Sequence, residues 1–146
     1  MDRGYIKIED KKIEFPKDLL ILDRQILLNM LGMEYYSEDE RTLYLVTDLV
    51  EVYIPDSVRV IAEKAFESCR NLRRVIISEE NSLKYIENCA FLDCVTLKHF
   101  DFEFCNNLRL IDNGAFKYTK IRESQLDEIP IKKKIFLGED VISEKN

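Results

Sequence analysis

The sequence predicts a repeat solenoid of mixed α/β class, with β-rich coils closed at the N-terminal end by a hairpin and a helix. Three observations carry this. Apolar residues recur in columns 25 residues apart. Within each unit they alternate with polar residues, as in a strand with one buried face. Each unit also carries an Ala-Phe step at the same place.

The columns are Ile61, Ile86 and Ile111; Ala65, Ala90 and Ala115; Phe66, Phe91 and Phe116; and Val58, Leu83 and Leu108. Two more, Val52, Val75 and Phe100 beside Ile54, Ile77 and Phe102, belong to the strand that opens each unit; there the first unit is two residues shorter. A period of roughly 20 to 29 residues belongs to leucine-rich repeats, so the solenoid is of leucine-rich-repeat type.

Each unit opens with a strand of the form Leu-x-x-Val-x-Ile, turns at Pro55-Asp56 or Glu79-Glu80-Asn81, and returns through Val58–Ile61, Leu83–Ile86 or Leu108–Ile111. The small Ala then permits close approach and the Phe ring fills the space between coils. No unit closes a core alone; stacking coils with strands about 4.8 Å apart does.

These units resemble the BspA-type leucine-rich repeats of surface antigens and related proteins, whose pattern is Leu-x-x-Val-x-Ile-Pro-x-Ser-Val-x-x-Ile-x-x-x-Ala-Phe-x-x-Cys. Leu49 to Cys69 matches at almost every defining position, including Ile54-Pro55 and Ser57-Val58. The resemblance covers about half the chain. The second and third units depart from it by lacking Ile-Pro, and Thr119 stands where Cys69 and Cys94 stood. Members are often secreted with a signal sequence and many more repeats, features not read in this chain, so surface display is not carried over.

Solenoid ends need caps. Residues 1–48 are assigned to an N-terminal cap: a hairpin from Tyr5 to Phe15 around Asp10-Lys11, a helix opened by Pro16, and a second hairpin from Glu34 to Val46. The helix presents Leu19, Leu20, Ile26, Leu27, Met30 and Leu31 and stops near Gly32. Residues 49–126 form the solenoid, with Ile121–Leu126 as a worn fourth strand. Residues 127–146 form a C-terminal cap strand around Lys132–Phe136 and a tail, mobile from Gly138. All three parts make one folding unit.

With 46% apolar residues and 34% charged, the chain has the composition of a folded domain. Its 28 acidic against 22 basic residues give a net charge of −6, which argues against nucleic acid as partner. Neither a signal peptide nor a membrane span is expected. The four cysteines, Cys69, Cys89, Cys94 and Cys105, then point to free thiols in a cytoplasmic setting. Cys69 and Cys94 share a column at disulfide spacing, yet the buried-thiol reading is preferred. There is no Cys-x-x-Cys, and the single histidine, His99, lacks a paired ligand, so no metal is expected. The absence of a phosphate loop or nucleophile motif argues against cofactor and catalysis.

The candidate partner-binding residues are the outward positions of the repeat strands: Glu51, Tyr53, Arg74, Ile76, His99, Asp101, Glu123 and Gln125. On neighbouring rungs these form a mixed-charge lattice with aromatic and Arg anchors suited to protein recognition. A secondary basic column comprises Arg59, Lys84 and Arg109, which either awaits an acidic partner or is neutralised by Asp56, Glu87 and Asp112; the second reading is preferred. The expected function is a non-catalytic module that binds a protein through the strand face, as monomer or homodimer. The alternative is a small acidic inhibitor, or an immunity or anti-defence protein, blocking a toxin or nucleic-acid-handling enzyme with Glu38, Asp39, Glu40, Glu79 and Glu80.

Overall fold

Each repeat is too short to surround its own apolar side chains, so the coils lie on one another and share one core. The computed structural model describes residues 3–33, 46–130 and 135–142. It shows a β-solenoid of about three turns with little helix. The opening strands of the coils are β4 (Leu49–Tyr53), β6 (Arg74–Ile76) and β8 (His99–Phe100), and the return strands are β5 (Val60–Ile61), β7 (Tyr85–Ile86) and β9 (Leu110–Ile111). Opening strands pair in parallel to build the first sheet and return strands build the second.

Register follows the sequence columns. Val52 lies beside Val75 and Val75 beside Phe100, while Ile61, Ile86 and Ile111 are rung partners with no exposed surface. Two-residue strands have little stability of their own; here the hydrogen bonds to the coils above and below fix them.

The Ala-Phe segment makes a third ladder. The N–H groups of Lys64, Phe66 and Ser68 donate to the carbonyls of Asn88, Ala90 and Leu92 at 3.1, 2.8 and 2.8 Å, and Cys89, Phe91 and Asp93 repeat this onto Asn113, Ala115 and Lys117. Two residues per coil adopt left-handed backbone to aim these groups: Lys64 and Ser68, Cys89 and Asp93, Gly114 and Tyr118. The Phe66, Phe91 and Phe116 rings stack in parallel at 5.1 and 5.2 Å between centroids. Phe100 meets two of them edge-on.

At the N-terminal end, β1 (Tyr5–Ile8) and β2 (Lys11–Glu14) form an antiparallel hairpin, turning at Glu9-Asp10, one residue earlier than the sequence indicates. Strand β1 pairs with β4 and extends the first sheet, giving the order β2-β1-β4-β6-β8. Gly4 precedes it at φ +65°, pressed against the Tyr53 carbonyl and Pro55, where any Cβ would overlap.

The expected helix from Pro16 is corrected. Asp18 sits in left-handed backbone, Ile21–Leu22 form β3 beside β5, and α1 begins only at Arg24 and runs to Met30. Asp23 caps it, its side chain accepting from the Ile26 N–H at 2.9 Å. The chain leaves the helix at Gly32 (φ +92°), as the sequence indicates. The buried faces of Leu27 and Leu28 cover the first coil, while Leu20 and Ile21 stay exposed. The expected hairpin from Glu34 to Val46 lies outside the described residues except for Val46, which is buried.

The worn fourth strand is also corrected: Glu123–Leu126 is a single helical turn, α2. A local bond wins, because the Arg122 N–H reaches Gln125 Oε1 at 2.9 Å while the Gln125 N–H reaches the Arg122 carbonyl at 2.9 Å. Further on, β10 (Phe136–Leu137) adds a parallel rung beside β9. The tail expected to be mobile from Gly138 is corrected as far as Ile142, where it is ordered as a fourth partial coil: Gly138 donates to the Ile111 carbonyl, Gly114 to Glu139, and Phe116 to Val141. The second sheet therefore runs β10-β9-β7-β5-β3.

Candidate functional site

Strand alternation that buries Ile6, Val52, Val75 and Phe100 turns their neighbours to the outer face of the first sheet. Lys7, Glu51, Arg74 and His99 form one row in register; Tyr5, Tyr53 and Ile76 form the next. Five of the eight strand-face residues named from sequence thus occupy one surface, and a sixth, Asp101, lies just past the end of β8. The hairpin residues Tyr5, Lys7 and Lys12 also belong to it. Their alternation was readable, but nothing local said that β1 would join β4.

This face is linked across its rungs. The Tyr5 hydroxyl donates to Glu51 Oε2 at 2.8 Å, and Arg74 Nη1 lies 3.4 Å from Glu51 Oε1. Lys12 Nζ stands 4.5 Å above the Tyr5 ring, which meets Tyr53 at 5.6 Å. Burial, followed by the hydrogen bond and negative charge of Glu51, pushes the Tyr5 phenol up to about 12. An exposed ion pair such as Arg74–Glu51 adds at most about 1 kcal/mol. Its effect here is to hold Arg74 in one orientation.

Where β8 ends, the chain turns into a short 3-10 helix, Phe102–Phe104, and the ladder loses a backbone acceptor. Asp101 supplies it: its Oδ2 accepts the Ile77 N–H at 3.0 Å, standing where the Ile76 carbonyl stands for Ile54 one coil earlier. Burial raises the Asp101 carboxyl above the ordinary aspartate range, and the Ile77 bond opposes part of that rise.

Glu123 and Gln125 are not on the strand face, because α2 replaces the expected strand. Gln125 still meets it at the end: its Nε2 donates to the Lys98 carbonyl at 3.1 Å, and with His99 and Asp101 it lines an open cleft of about 430 Å³ whose other walls include Lys120, Arg122 and Glu128. Glu123 is exposed and lies outside that cleft.

Arg59, Lys84 and Arg109 form their column in the second sheet, the Lys84 N–H donating to the Arg59 carbonyl at 2.9 Å and the Arg109 N–H to Lys84 at 2.8 Å. The expected neutralisation is corrected. Among the described residues no carboxylate lies within salt-bridge distance of these cations. Asp56 is buried and accepts the Ser78 hydroxyl, and Asp112 accepts the N–H of Asn113 in its own turn. Of the acidic group, Glu79 and Glu80 are exposed, whereas Glu38, Asp39 and Glu40, like Lys132–Lys134, lie outside the described residues.

Cys89, Cys94 and Cys105 are held toward their neutral form. Burial raises Cys94, which donates to the Phe66 carbonyl at 3.0 Å, and raises Cys89; burial with the nearby Asp101 and Glu103 charges pushes Cys105 up to about 12. A nucleophilic thiol needs the opposite shift. Among the described residues no three His, Cys, Asp or Glu side chains gather as metal ligands, and no helix is long and apolar enough to cross a membrane.

No match was found among curated proteins or solved structures. A family model described as BspA type Leucine rich repeat region (6 copies) matches residues 39–142, which takes in the coils, α2 and β10. Its repeats are typically non-catalytic modules, a kind commonly used for protein–protein interaction. Over more than two thirds of its length, the chain belongs to the BspA-type leucine-rich repeat family.

Proposed function

We propose that the protein is a non-catalytic binding module that engages a protein partner with the outer face of its first sheet. Tyr53, Arg74, Ile76 and His99 form the contact, Glu51 and Tyr5 hold them in place, and Asp101 and Gln125 line the cleft at its end. The observation that carries this reading is the Tyr5–Glu51–Arg74 chain, which spans three strands and fixes long side chains before any partner arrives. A side chain already ordered loses less entropy on binding, about 0.5 to 1.5 kcal/mol less for each rotamer-rich group. The reading carries with it a cytoplasmic location, where four thiols stay reduced.

The test replaces Tyr53, Arg74 and His99 together with Ala. The unaltered protein, carrying a photo-crosslinking residue at Ile76, is expected to trap a discrete protein in its native cell, and the triple variant to lose that product while melting at a similar temperature. Retention of the product by the triple variant would remove the first sheet as the binding face. Substrate turnover abolished by His99→Ala would overturn the non-catalytic reading.

A further inference from the structure

The second sheet presents an outer face unlike the first. Its register brings Ile21, Val60, Tyr85, Leu110 and Phe136 into one row across all five strands. Their strand neighbours Leu22, Ile61, Ile86 and Ile111 point into the core with no exposed surface, so this row points out. The row is most open at its ends, where Ile21 is 54% and Phe136 66% exposed, with Leu20 and Leu137 beside them at 49% and 46%. Alongside runs the column Arg59, Lys84 and Arg109, which among the described residues has no salt-bridge partner, each cation one residue before its apolar neighbour. An apolar row crossing every rung, edged by cations that pair with no carboxylate among the described residues, is unusual on a chain of net charge −6.

We propose that this face is a second docking surface, and that its occupant is an amphipathic helix of a partner protein with acidic residues along one flank of its apolar stripe. Charge selects the flank: three cations in line favour carboxylates and disfavour a basic partner. Spacing selects the helix. Four rung steps of about 4.8 Å cover about 19 Å. A helix laid along the solenoid axis returns its apolar stripe every 5.4 Å or so, and needs about 13 residues for that span.

The test uses two synthetic helical peptides of about 13 residues, identical in their leucine stripe and flanked by Glu in one and Lys in the other. Each is titrated into the isotope-labelled full chain and followed by nuclear magnetic resonance. The Glu peptide is expected to give saturable shifts at Val60, Tyr85 and Leu110, weakening as ionic strength rises. Arg59→Glu combined with Arg109→Glu should weaken it about tenfold or more. Phe136→Ser should weaken it too, whereas the Tyr53, Arg74 and His99 triple variant should bind it unchanged, which separates this surface from the first. Equal affinity for the Lys peptide, shifts confined to the first sheet, or no saturable shift would overturn the proposal. So would vesicles of phosphatidylcholine and phosphatidylserine perturbing the row where the Glu peptide does not, or self-association covering it.

Discussion

The two ends of the solenoid face the same problem and solve it with different chemistry. Each inner coil takes hydrogen bonds from the coil before it or after it, so the outermost coil on either side has backbone groups with no neighbour. At the N-terminal end, the carbonyls of Ala65 and Glu67 correspond to those of Ala90 and Leu92, which accept from Phe66 and Ser68. Arg24 Nη1 takes their place, donating at 3.3 and 2.8 Å. At the C-terminal end, the Lys98 carbonyl corresponds to that of Arg73, which accepts from the next coil, and Gln125 Nε2 takes that place. Arg24 is buried, whereas Gln125 lies where water also reaches. A charged cap is thus used where little solvent can substitute, and a neutral amide suffices where water reaches.

Removing Arg24 should have the largest effect of any cap substitution. As the first residue of α1 its positive charge opposes the helix dipole, so its position is set by the carbonyls it reaches. Arg24→Ala leaves the buried Ala65 carbonyl and the half-buried Glu67 carbonyl unpaired and should cost about 3 kcal/mol in chemical denaturation. Arg24→Met, which keeps the length without the donors, should recover less than half of that. A loss below about 1 kcal/mol in both would mean that α1 closes the coil by packing alone.

Asp101 extends the comparison to the other end, where a side chain replaces a missing acceptor. Asp101→Ala orphans the Ile77 N–H and should cost about 2 kcal/mol, whereas Asp101→Asn keeps an acceptor oxygen and should cost well under 1 kcal/mol. The pH dependence has a definite sign. A carboxyl raised in the folded state favours folding at acid pH and loses that contribution as pH rises through the folded value. The wild type should therefore gain stability relative to Asp101→Asn as pH falls through the carboxylate range. A difference of the opposite slope would mean that the Ile77 bond outweighs burial.

Gln125 is the smaller partner of Arg24. Gln125→Ala should cost about 1 kcal/mol, with faster amide exchange confined to β8 and α2. Gln125→Glu should cost more, because it points a second acceptor at the Lys98 carbonyl. Equal costs for Gln125→Ala and Arg24→Ala would erase the distinction between a buried and a solvated cap.

These caps also mark what could be read from sequence. The columns Ile61, Ile86 and Ile111 and the Ala-Phe step were legible because every coil meets the same neighbours and so repeats the same residue. The end elements were not. Ile21–Leu22 and Phe136–Leu137 are strands only because a neighbouring rung binds them, and two residues carry no periodicity. Ile121–Leu126 looked like a strand by position in the repeat, yet Gln125 could satisfy the Arg122 N–H locally. The left-handed residues of the third ladder, Lys64, Cys89 and Gly114 among them, share no side-chain type; Gly114 alone hinted at the backbone. On the candidate face, Glu51, Tyr53, Arg74, Ile76 and His99 were legible from alternation. The partnership with Tyr5 was not, because it depends on which strand the hairpin joins.

That partnership gives the finest test, since it asks whether the N-terminal hairpin is held by a side-chain bond as the coil ends are. Tyr5 has a phenol raised from 10.0 to about 12, chiefly by burial and then by Glu51. Because the folded value lies above the unfolded one, Tyr5 stabilises the fold fully below about pH 10 and loses that contribution between about 10 and 12. Absorbance titration of the seven tyrosines should show one late component that Tyr5→Phe removes and Glu51→Gln moves toward the ordinary value. Over the same window stability should fall less steeply in Tyr5→Phe than in the wild type, while Gln125→Ala keeps the wild-type slope. If Tyr5→Phe instead removed an early component, its hydroxyl would be facing water and the hairpin would owe its place to Ile6 and the backbone ladder alone.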